Sequence, residues 1–335
     1  MKSTHTLLKK FASGSRVAAL VVGLALAFVL PAAAEDDAYV VNSLDNSVSV
    51  VNTETRNVVG TIPVGWRPTA IAITLDGKSA YVTNEYANTV SVIDTVTDAV
   101  SHTVALGCFP TAVAITPNGK FAYVTCGSSV WVIDTTTNTV VGSPISVGLS
   151  PTGLVITPNG KFAYVVNYFS FFASVIDIKT SAVVATIPVG FYAYGVAITP
   201  DGDLAYVVSP ANNTVMVIET RTNTIVNTIS VGSFPLGVAI TPDGDFAYVA
   251  NSNDYTISVI DTEKNVVVHT IAGLQFPVSI AFTPDGDFAY VVNEYGFTVS
   301  VIDTETATIV GGPIRVGSFP VSIAISRTVR RRSSN

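Results

Sequence analysis

The stretch Ala80-Tyr81-Val82-Thr83-Asn84, followed by Thr89-Val90-Ser91-Val92-Ile93-Asp94-Thr95, decides the fold, because the chain repeats it. Ala-Tyr-Val recurs with its alanine at Ala38, Ala80, Ala122, Ala163, Ala205, Ala247 and Ala289, at intervals of 41 or 42 residues. A period near 40 that holds only short β-type segments fits four strands per unit, the blade of a β-propeller. One unit reads as Pro110 to Thr116, Phe121 to Thr125, Val130 to Ile133 and Thr139 to Val147. A Pro-Asn-Gly or Pro-Asp-Gly turn joins its first two segments, and such pairs supply the positive φ angles of a tight hairpin. The segments run almost continuously apolar, as expected when both faces of a sheet are covered by neighbouring sheets.

Working outward, first-strand copies start near Pro68, Pro110, Pro151, Ala193, Pro235, Pro277 and Pro320. The unit opening at Ala38 lacks a first strand, and Pro320 to Ser326 is a first strand with no successor. Pairing the two removes the free sheet edges of an open array. The expectation is an all-β, seven-bladed propeller of four-stranded blades, closed by its C-terminal strand on the N-terminal blade.

The chain has 335 residues, 48% hydrophobic and 12% charged, with a formal net charge of −7. This composition excludes a disordered chain, and its wealth of Gly, Pro, Val and Thr argues against helix bundles. Residues 1–34 read as a signal peptide: basic from Lys2 to Arg16, apolar from Val17 to Leu30, then Ala32-Ala33-Ala34. The apolar run is short of the ~20 residues that span a bilayer, so no membrane span is expected after signal removal. The propeller is assigned 35–326, and 327–335 is expected to be a basic, disordered tail. Without both basic ends, nine basic residues remain against 24 acidic ones. Such a body repels phosphate backbones, so no nucleic acid is expected as partner. The periplasm or the cell exterior is the expected location.

Tyr81-Val82-Thr83-Asn84 resembles the signature of YVTN β-propeller repeat proteins, with variants at Tyr39 to Asn42, Tyr164 to Asn167, Tyr248 to Asn251 and Tyr290 to Asn293. The resemblance spans 38–326 and departs from the pattern at Cys126 and Ser209, where Asn is usual. It implies a seven-bladed fold and leaves function open. More distant relatives include lactonase-like enzymes and propeller subunits of quinone-dependent amine dehydrogenases.

Residues shared by all repeats serve the scaffold, so function is sought where the copies diverge on one face. Just before the usual proline stand Arg67, Phe109, Ser150, Tyr192, Phe234, Phe276 and Phe319, with Trp66 adjoining. The loops between second and third strands, expected at the same end, add Glu85-Tyr86, Tyr168 to Phe172, Tyr255 and Glu294-Tyr295-Gly296-Phe297. These rings form either a recognition collar or packing between blades. Arg67 either stacks on a ring or holds a carboxylate, with an ion pair to Glu85 as the plain alternative.

Catalytic equipment is sparse. His102 and His269, the histidines beyond the signal, fall in outermost strands of separate blades, which leaves a serine triad without its base. An acid-only hydrolase using Glu85 and Glu294 stays open. No catalytic set, metal site or cofactor is expected. The Asp-Gly-Asp stretches at 201–203, 243–245 and 285–287 read as hairpin turns rather than calcium loops, and Asp94, Asp134, Asp177, Glu219, Asp261 and Asp303 as turn acceptors. Cys108 and Cys126, nearly opposed across one hairpin, are expected to form a disulfide, with two packed thiols as the alternative. The functional expectation is an exported, non-enzymatic binding or scaffold propeller. Its partner would be a protein or a small apolar or anionic ligand, held at the residues before the prolines together with Glu85 and Glu294. The alternative is a lactonase-like enzyme or the propeller subunit of a periplasmic quinone-dependent redox enzyme.

Overall fold

The computed structural model describes residues 36–326, so the segment read as a signal peptide and the tail expected to be disordered lie outside the described residues. Seven sheets form a ring, each with its innermost strand at the axis. Blade 1 joins the segment Pro320–Ser326 to Asp37–Asn42, Ser47–Asn52 and Asn57–Pro63. The closing pairing is antiparallel, with Asp37 opposite Ser326 and Val40 opposite Ile323. The ring is therefore closed by its two ends, as the unmatched first strand required.

Each repeated residue has a packing task. The seven alanines of Ala-Tyr-Val are fully buried, and the second strands have almost no exposed residue, whereas outermost strands such as Ala99–Ala105 are largely exposed. Covering both faces of the middle strands explains their unbroken apolar runs. The tyrosines clasp blade to blade. Tyr39 Oη donates to Asp98 Oδ1 (3.0 Å), Tyr81 Oη to Asn138 Oδ1 (2.6 Å) and Tyr206 Oη to Asn265 Oδ1 (3.0 Å), each in the outer turn of the next blade. Tyr290 Oη reaches the Thr53 carbonyl (2.7 Å), the same clasp across the seam between blades 7 and 1. Burial pushes the Tyr290 hydroxyl up to about 12, so it stays a donor at any physiological pH.

In blades 4 and 7 the asparagine of the repeat bonds the crossover into its own blade, while in blades 1, 2 and 6 its Oδ1 is buried against the crossover without a hydrogen bond. Asn84 Nδ2 donates to Thr89 Oγ1 and Ser91 Oγ, and Asn293 makes the same pair with Thr298 and Ser300. On the other side of the amide, Asn167 Oδ1 accepts Gly148 N (3.1 Å) and Asn293 Oδ1 accepts Gln275 N (3.2 Å). The fit is close enough that a Cβ on Gly65 would lie 2.6 Å from Asn84 Cγ. In blade 3 Cys126 takes this place and bonds to Cys108 of the crossover, with Cα atoms 5.7 Å apart. The disulfide does covalently what the asparagine does by hydrogen bond in blades 4 and 7.

Two blades depart from the repeat. The innermost strand of blade 5 is only Val196–Ile198, although the repeat places its start at Ala193. In blade 6 the Ser252 N–H bonds the Phe234 carbonyl and fixes the strand entry, but the equivalent residue of blade 5 is Pro210, which has no N–H to give. Tyr192 N bonds Tyr168 O of blade 4 (3.0 Å), where Arg67 N and Phe234 N bond an asparagine side chain. The outermost strand of blade 7 is split into Thr308–Ile309 and Ile314–Arg315, where Gly311, at φ 74°, and Pro313 interrupt the ladder.

Candidate functional site

The two ends of the ring differ in kind. At one end lie the turns that carry most of the acids. Asp201 Oδ1 accepts Thr199 Oγ1 and Asp203 N, and Asp243 and Asp285 repeat this pattern. Asn118 and Asn159 fill the same role in blades 3 and 4, so the turn uses the side-chain oxygen and not the charge. Asp94, Asp134, Asp177, Asp261 and Asp303 likewise accept backbone N–H groups of the following turn, and these bonds hold Asp177 and Asp303 below the usual carboxylate range. Glu219 accepts the Thr222 hydroxyl instead.

The other end carries the crossovers and the longer loops. Six of the seven residues before the strand-opening position have φ between 51° and 63°: Arg67, Ser150, Tyr192, Phe234, Phe276 and Phe319. A non-glycine residue pays on the order of 1 kcal/mol for that conformation, so neighbouring bonds must enforce it. Arg67 N donates to Asn46 Oδ1 (2.8 Å) and Phe234 N to Asn213 Oδ1 (3.0 Å). Their carbonyls accept from the first loop residue of the same blade: Arg67 O from Glu85 N (2.8 Å), Ser150 O from Tyr168 N (2.9 Å), Phe276 O from Glu294 N (3.0 Å). Except at Tyr192, where Pro210 has no N–H to give, this backbone bond sets these residues beside the start of their blade's loop. Phe109 escapes the pattern because Gly107, at φ 74°, makes the turn in the disulfide-bonded crossover.

Around the axis at this end lies a cavity of about 540 Å³. Of the residues singled out in the sequence, Arg67, Ser150, Phe319, Glu85 and Glu294 line it, while Trp66, Phe109, Tyr192, Phe234 and Phe276 do not. The rings form three clusters rather than one continuous collar. Trp66 meets Tyr86 edge-on at 5.2 Å, and Tyr86 meets Phe109 at 6.4 Å. Tyr168, Phe169, Phe171, Phe191, Tyr192 and Tyr194 form the second cluster, with Phe191 and Tyr192 4.2 Å apart. Phe276 stacks on Tyr295 at 4.1 Å, and Tyr295 lies 6.0 Å from Phe319. Phe234 is half-buried and outside all three. Many of these rings remain open to solvent: Trp66 is 62%, Phe109 57% and Phe171 66% exposed.

Arg67 combines both roles considered for it. Its Nε lies 3.2 Å from Glu85 Oε2, and its guanidinium carbon sits 4.9 Å above the Tyr86 ring. Glu294 is the contrast. Burial pushes its carboxyl up to about 7, and among the described residues no cation or side-chain donor meets it. Asp45 and Asp254, the remaining acids of these loops, accept Ser318 N and Ser233 N. Tyr194 stands in the cavity, encircled by the ring yet 38% exposed to the space within it. Burial first, then the nearby Glu294, Tyr168 and Glu85, raises its hydroxyl above the usual tyrosine value. A half-buried carboxyl near neutral pH is suited to binding or to proton transfer. His102 and His269 are remote from it, exposed on outermost strands opposite Val92 and Val259.

Tyr194, Thr69, Thr111 and Thr152 line the cavity without having been singled out in the sequence. The signal was present in the repeat phase. All four hold the second position of a first strand in the repeat, and the other occupants of that position, Leu236, Val278 and Val321, line the cavity too. The threonines are engaged in the ring itself, as Thr111 Oγ1 donates to Pro151 O (2.6 Å) of the next blade.

Comparison with known proteins follows this architecture. Residues 12–137 match the family described as YNCE-like beta-propeller, and residues 144–279 match the one described as Lactonase, 7-bladed beta-propeller. A chain of Kuenenia stuttgartiensis hydrazine synthase is similar at 25% identity and a TM-score of 0.72, over 79% of this chain and 92% of that one. A functionally unknown protein from Desulfotomaculum acetoxidans DSM 771 is similar in fold at 19% identity and a TM-score of 0.76, over 87% and 98% of the two chains. No curated protein matches the sequence. Fold and repeat pattern together make the chain a seven-bladed β-propeller, similar in its two halves to YNCE-like and lactonase-type propellers.

Proposed function

We propose that the protein is an exported recognition propeller that docks a partner protein on its loop end. One observation carries this reading: the exposed rings of Trp66, Tyr86, Phe109, Phe169, Phe171 and Tyr295 all lie on that end, while the opposite end is built of acidic turns. Exposed aromatic side chains bury much area at small entropy cost when a partner covers them, and clusters of this size on a soluble surface mark contact sites. The rigid ring beneath holds them in fixed relative positions. The test is capture from the native envelope fraction with purified bait. Trp66→Asp/Phe171→Asp should lose the partner, while Leu75→Asp/Val96→Asp, at the acidic end, should keep it. Equal capture by both double variants would remove the loop end from the account.

A second reading, a lactonase-like hydrolase, is favoured by the family match over 144–279 and by a carboxyl held near neutrality in the axial cavity. Turnover of a lactone panel by the purified chain, abolished by Glu294→Gln, would support it.

A further inference from the structure

We propose that the axial cavity at the loop end binds a small organic cation, with the Glu294 carboxylate as counter-charge and the Tyr168, Tyr194 and Phe319 rings as walls. The site adjoins the exposed clusters assigned to partner docking and shares Phe169 with them, but Trp66 and Phe171 do not line it, and it reverses the anionic ligand expected from Arg67 in the sequence.

The charges decide the sign of the ligand. The charged side chains lining the cavity are Arg67, Glu85 and Glu294. Arg67 is already matched by Glu85 at 3.2 Å and by the face of Tyr86 at 4.9 Å. An anion would have to break that pair and would meet Glu294 as well. Glu294 has no counter-charge among the described residues, so the cavity is left with one unmatched carboxylate. In a mouth walled by protein, that charge acts more strongly than in open water. A bound ammonium group would gain a charge-assisted hydrogen bond from it, and the negative faces of the surrounding rings add to the attraction. The cavity of about 540 Å³ suits a small-molecule ligand with an apolar body.

Protonation is part of the site. The titratable and charged groups facing Glu294 across the cavity are Arg67, Glu85, Tyr168 and Tyr194. Burial holds Glu294 up to about 7, and a bound cation favours its ionised form. Binding near neutral pH therefore releases a proton, and affinity falls as the pH drops below 7.

The test is isothermal calorimetry with three probes of one shape: phenethylammonium, 2-phenylethanol and 3-phenylpropionate. At about pH 8, where Glu294 is ionised, the ammonium should bind about tenfold or more tighter than the alcohol, and the carboxylate should give no heat. Glu294→Gln should bring the ammonium down to the alcohol's affinity. It should also abolish the dependence of binding heat on buffer ionisation enthalpy that the unaltered protein shows near pH 7. Trp66→Asp/Phe171→Asp, which tests partner docking, should leave ammonium binding unchanged, so the two readings fail separately. The proposal is overturned if phenylpropionate binds as tightly as the ammonium, if Glu294→Gln leaves ammonium affinity intact, or if millimolar ammonium gives no binding heat.

Discussion

Replacing the disulfide of blade 3 tests whether it substitutes for the repeat asparagine. Cys108→Ser/Cys126→Ser opens a link across 18 residues, which in the chain-entropy model costs about 3 kcal/mol. For a domain of this size that loss lowers the melting temperature by roughly 5 °C or more. Cys108→Ser/Cys126→Asn should recover part of it. The new amide would find Ser129 directly opposite, as Asn84 finds Thr89. It would not find a second hydroxyl, because Trp131 stands where blade 2 has Ser91. One hydrogen bond instead of two predicts a recovery of about 1 kcal/mol. Urea unfolding of the three proteins, followed by tryptophan fluorescence, reads the order directly: disulfide, then asparagine, then serine. An asparagine variant less stable than the serine one, or a serine variant as stable as the parent, would refute the equivalence.

Further outcomes follow from single contacts. Because the carboxyl of Glu294 is raised in the folded state, its ionisation destabilises the fold fully above about pH 7, and that penalty fades as the pH falls toward the usual glutamate value. Glu294→Gln should therefore raise the urea midpoint at pH 8 and flatten its pH dependence between pH 5 and 8; an unchanged slope would contradict the burial of this group. Tyr290→Phe removes the clasp to Thr53 across the seam and should cost about 1 kcal/mol in urea unfolding. Gly65→Ala puts a Cβ 2.6 Å from Asn84 Cγ and should cost about 1–3 kcal/mol, measured the same way.

The ring was legible because it is written seven times, and each copy must meet the same packing demand. Repetition exposed the period, the unpaired strands at both ends and the hairpin opposing Cys108 to Cys126. Exceptions were less legible. The shortened strand of blade 5 coincides with Pro210, which lacks the N–H that bonds the crossover in blades 1, 2, 4, 6 and 7, and that difference appears only when the bond is known from those blades. At the candidate site, placing Glu85 beside Arg67 needed only the repeat phase. Which residues line the cavity depends on the direction each side chain takes from a left-handed backbone position. That is why Phe319 lines it and Phe276, at the same repeat position, does not. The second position of the first strands carried a readable signal, since it faces the axis in every blade and holds Tyr194.

Hydrogen–deuterium exchange of the propeller, free and with its captured partner, tests the recognition face most directly. The account predicts slowed exchange in the loops at 43–46, 85–88, 168–172 and 294–297, with the acidic turns unchanged. Protection centred on the turns at 76–78 and 243–245, or on the outermost strands, would contradict it.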